Sequence, residues 1–169
     1  GVSYPITRAT SGEEVYERFW EQVVGLGVTE ERQISTVLLL APRFALHCPD
    51  GFDAFANTLN AALTELRVEE QIQLVFFHPG YAFRDGKERL GIDGAANYAR
   101  RSPYPMINLL RTPQVRAAQK NIPTGSVYTT NENNLELVGP SELQRMLDEG
   151  DWAGLEQHRF APHSENLWK

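Results

Sequence analysis

The sequence predicts an α/β fold: a small, mainly parallel sheet opened by a β-α-β-α-β unit with right-handed crossovers, then a long loop and C-terminal helices. Three observations predict it. Val2, Tyr4 and Ile6 alternate with the period of a strand, "ISTVLLLAPR" (34–43) and "QIQLVFFHPGY" (71–81) are nearly continuous β-favouring runs, and a helical stripe separates each from the next. With 169 residues, 41% of them hydrophobic, the chain is sized for one core. We expect a single domain over residues 1–155 and an irregular tail over 156–169.

The elements follow in order. Ser11 and Glu14 have the spacing of a capping box, so a helix starts there, buries Val15, Phe19, Val23 and Leu26, and stops at Gly25 and Gly27. After Pro42 closes the second strand, Asp50 is the expected N-cap of a second helix with Phe52, Phe55, Leu59, Leu63 and Leu66 on its apolar face. Residues 82–100 form a polar, Gly-containing connection of the length used for binding loops. From Pro105 to Gln119 the spacing of Met106, Leu109 and Leu110 predicts a helix with a break at Pro113, and Ser141 with Gln144 predicts a last capping box. The tail carries Phe160, Leu167 and Trp168 without a face to bury, as a segment that folds back or docks on a partner does.

Composition excludes several classes. A net charge of −6 suits a nucleic-acid backbone poorly. Cys48 is the single cysteine, so neither an internal disulfide nor a thiolate cluster is expected, and no apolar run approaches the roughly 20 residues of a membrane span. No metal motif, phosphate loop, dinucleotide glycine set or nucleophile elbow is present, and no cofactor is expected. Residue 1 is Gly and nothing leader-like precedes the first strand, which predicts a removed leader or missing N-terminal residues. A soluble intracellular chain, cytoplasmic or organellar with plastids included, is the expectation.

Charge is unevenly spread. Residues 84–120 hold eight basic against three acidic side chains, and residues 128–169 reverse that ratio. Within the basic segment lies "RRSPYPMINLLR" (100–111). Pro103 and Pro105 extend Ser102 and Tyr104, which would present Tyr104 at a helix N-terminus beside Arg101, with Arg111 two turns on. Arg101 and Arg111 are the candidate anion clamp, and Ser102, Tyr104, Tyr81, Asn97 and Asn108 the candidate hydrogen-bonding lining. His78, at the carboxyl end of a strand where open α/β sheets bind ligands, is the candidate acid/base. Each has a structural alternative: a histidine tied to turn backbone, arginines pinning a loop, tyrosines packed on prolines.

"FFHPGYAF" (76–83) followed by "NYARRSPYPMINLLR" (97–111) resembles the paired signature of an uncharacterised, mostly bacterial family of unknown function, over about residues 2–139. The resemblance implies family-type positions at His78, Tyr81, Asn97, Arg101, Ser102, Tyr104 and Arg111, and no activity. It also marks departures: Arg100 where the family has Asn, Asn108 where it has His, Thr112 where it has Glu, and no Cys-bearing helix before Val2. Two readings follow. The preferred one is a non-catalytic binding or accessory protein, a subunit or peripheral component of a larger assembly with protein partners, that keeps a partly diverged anion pocket. The alternative is an enzyme for a small phosphorylated or carboxylated metabolite, with His78 as acid/base and Arg101 and Arg111 holding the anion.

Overall fold

The β-α-β-α-β order is present in the computed structural model, which describes residues 1–85, 88–89, 91, 93–120 and 126–158. These residues group into two units, Gly1–Gly80 with Tyr104–Ala117, and Tyr81–Pro103 with Ala118–Lys169.

In the first unit β1 (Val2–Ser3), α1 (Gly12–Val28), β2 (Thr36–Leu40), α2 (Pro49–Glu65) and β3 (Ile72–Phe77) lead to a sixth strand, β6 (Met106–Arg111), and to α3 (Thr112–Gln119). The helix expected from Pro105 is therefore a strand up to Arg111. Met106, Leu109 and Leu110 have helical spacing, but only Ile107 and Leu109 are buried, which is the alternation of a strand. Pro105 stands just before the strand, where its missing N–H is tolerated. Pro113 sits in the first turn of α3 instead of breaking a helix.

β6 lies between β2 and β3 and runs antiparallel to both, in the order β1-β2-β6-β3. The sheet is thus mixed rather than mainly parallel. β1, β2 and β3 still share one direction, so their carboxyl ends lie at one edge. One sheet face, with Val37, Leu39, Ile107 and Leu109, packs in a single core with Val15, Phe19, Val23 and Leu26 of α1 and Phe52, Leu59 and Leu63 of α2. The register places three rows on the opposite face: Val2, Thr36, Leu110 and Gln73; Leu38, Asn108 and Val75; Ile6, Leu40, Met106 and Phe77.

The helix ends differ from expectation where backbone geometry decides. The Ser11–Glu14 capping box forms, and α1 continues past Gly25 to Val28, where the Thr29 hydroxyl donates to Gly25 O at 2.7 Å. α2 begins at Pro49 with Cys48 as its N-cap, so Asp50 lies in the first turn rather than at the expected N-cap position.

The second unit contains the short hairpin β4 (Arg84–Asp85) and β5 (Glu88–Arg89), a 3-10 turn (Ala95–Ala99), α4 (Ser126–Val138), α5 (Pro140–Glu149) and a second 3-10 turn (Ala153–His158). Among its described residues Ala82, Ala95, Leu143, Met146 and Leu147 are buried and apolar. The box expected at Ser141 and Gln144 does not form, because Gly139 is the N-cap and Pro140 occupies the first turn. Among the described residues no helix is long and apolar enough to cross a membrane.

Candidate functional site

At the carboxyl edge of the sheet, His78 leaves β3 and is only 2% exposed. Gly80 N–H donates to its Nδ1 at 3.0 Å, so that nitrogen is unprotonated, and Nε2 carries the hydrogen donated to Ala45 O at 2.9 Å. The ring also lies 5.2 Å from Phe52. Ala45 belongs to the turn between β2 and α2 and has φ of 50°, a left-handed backbone that costs a side-chain-bearing residue about 1–2 kcal/mol. His78 holds that carbonyl in place. The imidazole joins two loop exits of the sheet, and its neutral tautomer is fixed by backbone on both sides.

Arg111 ends β6 at the other edge. It pairs with Ile72 at the start of β3, whereas Met106 pairs with Phe77 at its end, which puts about 17 Å of strand between Arg111 and the carboxyl edge. Its Nε donates to Ile34 O at 3.2 Å, and its Nη2 donates to Leu26 O, Thr29 O and Ile34 O at 2.9, 2.6 and 3.1 Å. Leu26 O belongs to the last turn of α1, where carbonyls lack helical partners and the dipole favours a cation. Thr112, next along, braces the same edge by donating its hydroxyl to Glu69 O at 2.8 Å and its N–H to Gln71 O at 2.9 Å.

Arg101 and Tyr81 meet in the second unit, together with Arg100 and Tyr98. Arg101 lies over the Tyr98 ring, 4.5 Å from its centroid, and donates from Nε to Tyr81 O at 3.2 Å. Arg100 lies over the Tyr81 ring at 5.7 Å, and Tyr81 meets Phe83 edge-on. The Tyr98 hydroxyl donates to Gln144 Oε1 at 2.8 Å. Asn97, 2% exposed, accepts from Phe83 N–H at 3.0 Å and donates to Gly91 O at 2.8 Å, closing the connection as a loop. Beside it is a cavity of about 560 Å³ lined by Arg84, Asn97, Arg100, Asn131, Glu132 and Glu136 among others. Its charge is mixed, with arginines from the loop and two carboxylates one turn apart on α4.

Ser102 is buried, and Tyr104 is 45% exposed just before β6 rather than at a helix N-terminus. Asn108 sits mid-strand between Leu38 and Val75, and its Oδ1 is buried without a hydrogen bond from any described group. Phe160, Leu167 and Trp168 lie outside the described residues. Among the described residues, no three His, Cys, Asp or Glu side chains are grouped to hold a metal ion.

A family model described as "protein of unknown function" matches residues 1–145. The chain belongs to the DUF1415 family. The match spans every sequence-predicted site residue except the three in the tail. No curated protein matches this DUF1415 chain, and no solved structure does.

Sequence reasoning missed Ala45, Glu132 and Glu136 in this DUF1415 member. The i, i+4 carboxylates were visible in "NENNLE", but a signal linking them to the 82–100 loop exists only in three dimensions. Nothing in "RFALH" marks Ala45 as left-handed, since alanine disfavours that conformation.

Proposed function

We propose that the chain is a non-catalytic binding or accessory protein, a subunit or peripheral component of a larger assembly, that keeps a pocket of diverged charge. His78 carries this reading. An acid/base needs a ring nitrogen within reach of a substrate proton. Here Nδ1 accepts from Gly80 N–H and Nε2 donates to Ala45 O, so backbone engages both nitrogens of a buried ring. Arg111 supports the same conclusion, because its Nε and Nη2 serve the carbonyls after α1. The mixed lining of the cavity beside Arg100 suits retention of a small dipolar solute rather than clamping of an anion.

The test is the native mass of the protein in gently prepared extract of its source, by sizing followed by identification of co-migrating chains. Migration with a larger assembly is expected. A free monomer would overturn the accessory reading.

A further inference from the structure

β1 is an outer strand of the four-stranded sheet, and its free side is an unguarded edge. Pro5 O accepts from Leu40 N–H and Thr7 N–H donates to Leu40 O, both at 2.9 Å, so the backbone groups of residues 5 and 7 face β2. Strand groups alternate in direction, and the N–H and C=O of Val2, Tyr4 and Ile6 therefore face away from the sheet. Tyr4 and Ile6 make no backbone hydrogen bond among the described residues. Native sheets shield such an edge with charged side chains, or with a proline whose missing N–H faces solvent. Here Val2 to Thr7 carry no charge, and Pro5 turns its missing N–H inward to β2, where the ladder is interrupted between Ser3 and Ile6. Two different surfaces flank the edge. On the face away from α1 stand Val2, Tyr4 and Ile6, 50%, 63% and 68% exposed. On the α1 face a groove of about 590 Å³ is lined by Pro5 and Thr7 and by Glu14, Glu17, Arg18 and Glu21 of α1, among others. With Arg8 it holds three carboxylates against two guanidinium groups. Arg18 is bonded to Glu21 at 2.7 Å and the Glu14 carboxyl accepts from Thr10 N–H, which leaves Glu17 as the carboxylate with no hydrogen bond among the described residues.

We infer that the β1 edge takes up an extended segment of a partner protein as a fifth strand. The segment is about five residues long, and its side chains alternate between apolar ones against Val2, Tyr4 and Ile6 and basic ones in the Glu17 groove. The inference rests on the accessory reading above and names the means of attachment. Backbone geometry selects a strand: an extended chain presents donors and acceptors at the about 6.6 Å repeat of residues 2, 4 and 6, whereas the backbone groups of a helix bond within it. Val2 to Ile6 spans about 13 Å, which fits a linear segment and falls far short of the about 800 Å² per partner in a stable pair of folded surfaces. A second copy offers the same edge, but a twofold axis through Tyr4 would set the Glu17 grooves of the two copies side by side, acid against acid. A strand with lysine or arginine at alternate positions meets the same groove with the opposite charge.

The experiment selects binders to the purified full chain from a displayed library of random peptides. Enriched peptides are expected to share about five residues in which apolar side chains alternate with lysine or arginine. Methylating the peptide backbone nitrogens one at a time should weaken binding about tenfold at alternate positions only, because only those N–H groups meet β1. Binding should also protect the Tyr4 and Ile6 amides from hydrogen exchange. Ile6→Pro removes one outward donor and no bond to β2, so it should weaken the peptide about tenfold with the thermal midpoint unchanged. Glu17→Lys should turn the selected sequences from basic to acidic. Should the proline variant fail to fold, the methylation scan on the unaltered chain decides. No enriched peptide, methylation effects that do not alternate, or enriched peptides without basic residues overturn the inference. Protection of the Tyr4 and Ile6 amides in the free chain overturns it as well, since the tail or a second copy then holds the edge. A chain that migrates in a large assembly yet selects no such peptide overturns the edge alone. A free monomer in extract removes the accessory reading and the partner with it.

Discussion

Arg111→Met keeps an unbranched apolar stem and removes every donor. Four bonds are lost, but Nε and Nη2 share Ile34 O, so the acceptors left behind are Leu26 O, Thr29 O and Ile34 O. A hydrogen bond to a charged group contributes about 1.5–3 kcal/mol net, and water recovers part of that at a half-buried site, which leaves a cost of about 3 kcal/mol. For a chain of this size that is a fall of about 6–12 °C in Tm. Urea unfolding followed by circular dichroism should give the same loss, and hydrogen exchange should localise it to the last turn of α1. Arg111→Lys should recover only about a third, because an ammonium is a point donor and cannot fork across three carbonyls. If Arg111→Met costs less than about 1 kcal/mol while the native mass of the assembly falls, the guanidinium serves a partner or ligand and the bracing role is refuted.

His78→Gln should cost about 2–3 kcal/mol, since the amide O and NH2 do not diverge as the two ring nitrogens do and so cannot meet Ala45 O and Gly80 N–H in good geometry at once, and the residue 41–48 turn should become the first site of limited proteolysis. Unchanged stability would return His78 to the list of reactive groups. Ala45→Gly should be neutral to stabilising by about 0.5 kcal/mol in urea, because relief of the left-handed strain outweighs the added freedom of the unfolded chain; a clear loss would mean that the methyl packs usefully. The backbone N–H groups of Thr10 and Ser11 hold the Glu14 carboxyl below the usual carboxylate range. Its contribution to α1 is therefore present above the unfolded-state pKa and lost as pH falls through the lower folded value. Glu14→Gln keeps an acceptor without the charge, so its Tm should fall less than that of the wild type between pH 6 and pH 3, and parallel curves would contradict this.

The local chemistry of the first half was legible. Ser11 and Glu14 make the predicted box, and the stripe from Val15 to Leu26 and the runs ended by Pro42 and Pro79 are where the pattern put them. β6 was not legible, because a central strand with Leu109 and Leu110 adjacent satisfies helical spacing as well as strand alternation, and only the partners Leu38 and Val75 decide between them. That one misreading also displaced the expected anion site at Tyr104, which needed a helix N-terminus. Motif resemblance pointed to Arg101 and Tyr81, which are bonded to each other, and to Asn97, which lines the cavity, but not to the carboxylates of α4 that line it with Asn97. Family positions such as Arg111 and His78 carry hydrogen bonds to backbone, a demand that leaves no periodicity in a sequence.

The central place of β6 has a consequence for the order in which the chain acquires structure. Residues 1–80 emerge first during synthesis and carry α1 and α2, yet β2 and β3 never pair with each other and are joined only when residues 106–111 enter between them. Closure waits on the most distant contacts, which slows it and leaves two unpaired edges, Leu-rich and Phe-rich, exposed on the nascent polypeptide. A ribosome-bound fragment ending at residue 105 should therefore hold chaperones and resist compaction, while a few residues more, once clear of the exit tunnel, should snap the first unit shut.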